Sequence, residues 1–75
     1  MSPVAERLVR ALEGLTPFAE AIVRRQAEQL GFTLESVPDT AASALTQRVL
    51  VAARVYLEPT AYARVEQSVR APARA

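Results

Sequence analysis

Arg24 and Arg25 stand side by side between Glu20 and Glu28. On a helix, adjacent residues project about 100° apart, so the two guanidinium groups cannot share one ion-pairing face. Glu20 and Glu28 both lie four residues from Arg24 and can pair with it, each pair adding only a few tenths of a kcal/mol. That leaves Arg24 and Arg25 as candidate polar contacts for a phosphate or a partner carboxylate, against the plainer account of a solvated helix face. The remaining chemical repertoire is narrow, because the chain has no Cys, no His and no Lys. Thiol nucleophiles, imidazole bases, Schiff-base amines, Walker-type lysines and Ser-His-Asp relays are all out of reach. Glu6, Glu13, Glu20 and Glu28 show no compact metal-ligand spacing, and no Glu-x-x-His pair exists. We therefore expect a protein that is not an enzyme and carries no metal or cofactor.

Size and charge restrict the partners. Seventy-five residues make one domain that buries only about 60% of the surface its unfolded chain exposes. Disulfides and metals are unavailable to reinforce it, so association, as a homodimer or with a larger subunit, is the expected support. The net charge of +1 rests on Arg70 and Arg74, since residues 1–69 hold seven Arg against eight acids. Such a body lacks the basic footprint of nucleic-acid binding. The longest apolar run, Val49 to Ala53, is far too short for a membrane span, which needs about 20 residues. No basic segment followed by an apolar run suggests export, and a cytoplasmic location is expected.

The elements that must position these side chains are all helical. Ser2-Pro3 with Glu6 starts a helix expected over residues 3–13, its stripe formed by Val4, Leu8, Ala11, Leu12 and Leu15, with a left-handed stop at Gly14. The stretch SPVAERLVR is then echoed by TPFAEAIVR fourteen residues later. Thr16-Pro17 with Glu20 should accordingly start a second helix over 17–30, ended by a left-handed Gly31. Residues 32–38 read as a loop or single turn that tucks Phe32 and Val37 onto the core. Asp39 or Thr40 should cap a third helix over 40–57, since neither Gly nor Pro interrupts the chain before Pro59. A fourth is expected over 60–69. The fold class is an all-α compact bundle of about four helices, a single domain over 1–69 followed by a flexible, disordered tail at 70–75.

The third helix is the most informative. Ala41, Leu45, Val49, Ala52, Ala53 and Tyr56 fill one face, while Leu50, Val51, Val55 and Leu57 flank the opposite polar strip. This apolar arc is far wider than the roughly 100° that one buried face requires. Leu50, Val51, Val55 and Leu57 are therefore the candidate interface, and the expected function is a small helical interaction or accessory module.

Other readings rest on narrower signals. Ala27, Gly31 and Val37 have the spacing of a packed Ala, a turn Gly and a buried recognition-helix residue in a helix-turn-helix regulator, but Pro38 would fall inside that second helix. An apolar bundle can also carry a pigment or other apolar ligand, although no polar group marks a pocket. Finally, residues 15–37, LTPFAEAIVRRQAEQLGFTLESV, resemble the small helical C-terminal domain of a light-independent protochlorophyllide reductase subunit. Pro17, Val23, Arg24, Glu28 and Gly31 carry the resemblance, with Thr33 and Val37 matching more loosely. It implies a helical docking element on a nitrogenase-like or tetrapyrrole-related enzyme, without catalytic residues of its own.

Overall fold

The computed structural model describes residues 1–70, leaving aside the Arg70 side chain. Its elements are α1 (Pro3–Glu13), α2 (Ala19–Gln29), a 3-10 turn at Asp39–Ala41, α3 (Ala42–Ala53) and α4 (Pro59–Arg70). The described residues contain no strand, and no helix among them is long and apolar enough to cross a membrane. The all-α four-helix bundle is thus the observed fold. The tail expected at 70–75 lies outside the described residues, except that the Arg70 backbone still belongs to α4.

Helix α1 begins as its sequence dictates. The Ser2 hydroxyl oxygen accepts the Ala5 N–H at 3.4 Å, and Pro3 takes the first helical position, where a missing N–H costs nothing. Ser2 also donates twice to the Leu34 carbonyl, from its backbone N–H and from its hydroxyl, each at 2.8 Å. The start of the chain is thereby tied to the loop that follows α2. That loop is held by Leu34 and Val37, both buried, and by a turn in which the Thr33 N–H donates to the Ser36 hydroxyl at 2.9 Å.

The echoed second start behaves differently. Thr16 accepts from the Phe18 N–H at 3.2 Å, one residue nearer than the Ala5 N–H is to Ser2, and α2 begins only at Ala19 instead of residue 17. The cause lies upstream: the Leu12 carbonyl accepts from both Leu15 and Thr16, so Thr16 is still completing the last turn of α1. The two glycines also differ. Gly31 has φ +91°, the positive value expected of a helix stop, whereas Gly14 has φ −81° and ends α1 in a right-handed turn.

Helix α3 is shorter than expected at both ends. Asp39 and Thr40 sit in the 3-10 turn, with no side-chain cap, and α3 starts at Ala42. It stops at Ala53 although neither Gly nor Pro follows until Pro59. Beyond Ala53 the bonds tighten to Val55 N–H on Ala52 and Tyr56 N–H on Ala53. The chain needs this slack to turn Leu57 into the core and to let Pro59 open α4, because the residue before a proline is pushed away from helical angles.

Each helix packs on its neighbour in sequence, and α4 closes the ring against α1. Leu8, Leu12, Val23, Leu45, Val49 and Val65 are the largest fully buried side chains, contributed by all four helices. The Cα radius of gyration of 11.2 Å matches the roughly 11 Å expected of a compact chain of this length.

Candidate functional site

On α3 the buried residues are Leu45, Val49, Leu50 and Ala53. Relative to the face centred on Leu45, Ala52 and Tyr56, this one is rotated by roughly 60° at 100° per residue. The rotation separates the four candidate interface residues. Leu50 (2% exposed) and Leu57 (9%) join the core, while Val51 (68%) and Val55 (81%) face outward. Tyr56, expected to lie on the core face, is 54% exposed.

The residue missing from the expected surface is Phe18. It sits in the turn before α2, is 53% exposed, and places its ring 5.6 Å from that of Tyr56 at an interplanar angle of 45°. Phe18 and Tyr56 therefore meet at the surface between the turn before α2 and the turn after α3, and Val51 on α3 and Val55 just past its end add exposed apolar side chains, the four together an apolar strip at this edge. Two half-exposed aromatic rings, each offering on the order of 150–250 Å² when buried, leave roughly 200 Å² of aromatic surface in water. In the sequence Phe18 marked only the edge of a helix; its nearness to Tyr56 depends on how α2 and α3 pack, which no local spacing reports.

Two grooves flank the strip. One, of about 450 Å³, lies between α2 and α3 and is lined by Gln26, Gln29, Gln47, Arg48, Val51 and Ala52. The other, of about 270 Å³, is bordered by Phe18 and Tyr56 and by Arg24, Arg25 and Glu28, and it shares Gln26 and Ala52 with the first. Sharing these two residues, the grooves adjoin as a trough along the α2–α3 seam.

Arg24 and Arg25 diverge as adjacent helical residues must. Arg24 is held by Glu20, and Arg25 forms no ion pair among the described residues. Arg48, which carries no sequence signal of its own, reaches across the seam to donate to the Gln29 Oε1 at 2.6 Å. Nearby, the Arg54 guanidinium lies 5.6 Å from the centre of the Tyr62 ring, a cation–π contact joining the end of α3 to α4. Among the described residues, no three Asp or Glu side chains gather as a metal site would need, and no buried side-chain polar atom lacks a partner.

The helix-turn-helix spacing does not place a recognition helix. Ala27 and Val37 are buried and Gly31 turns the chain, but the following segment is a loop and the next α-helix starts only at Ala42. Among the residues that suggest the resemblance to a reductase domain, Val23, Gly31 and Val37 serve packing or turning, and Arg24 serves an exposed ion pair. Comparison with known protein families, with curated proteins and with solved structures finds no match.

Proposed function

We propose that this protein is a small non-enzymatic interaction module that docks on another protein through its α2–α3 face. The observation that carries this reading is the strip of Phe18, Val51, Val55 and Tyr56, four large apolar side chains that remain between 53% and 81% exposed. Scattered surface hydrophobes are ordinary, but four exposed apolar side chains gathered near one groove, two of them paired aromatic rings, support an interaction site. Aromatic side chains are also the usual anchors of interfaces. A domain this small gains proportionately from covering such a surface.

The resemblance of residues 15–37 to a reductase docking domain supports a large enzyme subunit as host, nitrogenase-like or tetrapyrrole-related. Association with a second copy is the other form of the same function. Neither form requires a catalytic residue of this chain.

The test is native mass spectrometry of the tagged chain purified from its own cell, wild type beside Val55→Glu. The proposal expects a complex of defined stoichiometry with the wild type and its loss with a variant that keeps its helical circular dichroism. A complex that survives the substitution, or a wild-type chain that is monomeric throughout, overturns it.

A further inference from the structure

The charge around the trough discriminates between the occupants that the apolar strip alone would admit. Its lining holds Arg24, Arg25 and Arg48 against one carboxylate, Glu28. Arg24 is matched by Glu20, but among the described residues Arg25 has no ion-pair partner and Arg48 bonds the neutral amide of Gln29 and no carboxylate. The α3 wall contributes Arg48 and no acid, since Ala42–Ala53 contains none. A second copy docked face to face would set this basic rim against its own equivalent, and like charges juxtaposed across an interface disfavour association. A partner with acids flanking an apolar stripe meets no such penalty and gains charge-assisted pairs with guanidinium groups.

The shape adds a second restriction. The trough follows α2 and α3, which at 1.5 Å per residue are about 16–18 Å long, the length of three helical turns. Its lining includes the apolar Ala52 and Val51, the amides of Gln26 and Gln47, and the rings of Phe18 and Tyr56. Such a groove suits a helix laid along it with anchors at i, i+3 or i+4, and i+7.

We propose that the α2–α3 trough receives an acidic amphipathic helix of another protein, with apolar anchors on Val51, Ala52 and Phe18 and with Asp or Glu side chains against Arg25 and Arg48. This inference rests on the docking function above and deepens it by naming the partner's chemistry.

Two lactam-bridged helical peptides of about three turns test it, identical on their leucine face and flanked by glutamates in one and lysines in the other. Each is titrated into the isotope-labelled full chain and followed by amide NMR shifts. The glutamate peptide should shift the amides of Arg25, Gln26, Arg48, Val51 and Ala52 and bind at least about tenfold more tightly, a difference near 1.4 kcal/mol. The double variant Arg25→Glu, Arg48→Glu should invert the ranking while retaining helical circular dichroism. Equal binding of the two peptides, absence of shifts at millimolar concentration, or the same amides responding to a random DNA duplex instead would overturn the proposal. A Val55-dependent complex containing only two copies of this chain would defeat the acidic-helix inference and leave the docking function standing. A Val55-independent complex would defeat the docking function itself.

Discussion

The rings of Phe18 and Tyr56 lie 5.6 Å apart, joining the turn before α2 to the turn after α3, although each side chain is about half exposed. A tilted pair at this distance is attractive, yet half of each ring still faces water. The pair fastens the seam and leaves apolar surface exposed. A double-mutant cycle of Phe18→Ala and Tyr56→Ala, measured by urea unfolding, should give a coupling of about 0.5–1.5 kcal/mol. A coupling near zero would mean that the rings are merely neighbours.

Leu50 and Val51 are adjacent on α3 and should respond oppositely to the same change. Leu50→Glu places a carboxylate where exposure is only 2%. An uncompensated buried charge of this kind costs several kcal/mol, comparable with the roughly 4–11 kcal/mol expected for a whole domain of this size. Circular dichroism should show loss of cooperative folding. Val51→Glu, at 68% exposure, should alter stability by no more than about 0.5 kcal/mol while weakening association.

The two glycines provide a backbone test. Gly31 holds φ +91°, and although a Cβ there would meet nothing within 4 Å, Gly31→Ala should cost about 1–2 kcal/mol from backbone strain alone. Gly14 has φ −81° and equally open surroundings, so Gly14→Ala should be neutral or stabilising by up to about 1 kcal/mol. Thermal unfolding of the two variants should move in opposite directions or leave Gly14→Ala unchanged.

Ser2 and Thr16 head the echoed stretches but have unequal work. Ser2→Ala removes the Ala5 cap and one of two bonds to the Leu34 carbonyl, and should cost about 1–2 kcal/mol. Hydrogen exchange at the Ala5 amide should accelerate. Thr16→Ala loses only the 3.2 Å bond to the Phe18 N–H inside a turn and should cost less.

The two stretches also show where sequence reasoning reached its limit. SPVAERLVR predicts α1 from Pro3 to Glu13, as observed, because cap, proline and stop act within a few residues. TPFAEAIVR has the same local grammar, yet α2 is delayed to Ala19 because Thr16 is still engaged by Leu12. The wide apolar arc of α3 was legible as more than one face, but its rotation was not. Whether Leu50 or Tyr56 turns inward depends on packing against α2 and α4, and spacing within α3 contains no record of it. Spacing groups Val51 and Val55 as interface candidates with Leu50 and Leu57, and the packing buries the last two. Phe18 and Arg48 reach the trough through tertiary placement alone.

The central claim, that the α2–α3 face is a protein contact, is tested most directly by photo-crosslinking in the native cell. A photoreactive amino acid is placed at Val51 or Val55 on the strip, and at Ala63, exposed on α4, as control. One discrete adduct is expected from positions 51 and 55 and none from 63, with the adduct suppressed when Arg25 and Arg48 are both changed to Glu. Equal labelling from all three positions, or none from 51 and 55, would contradict it.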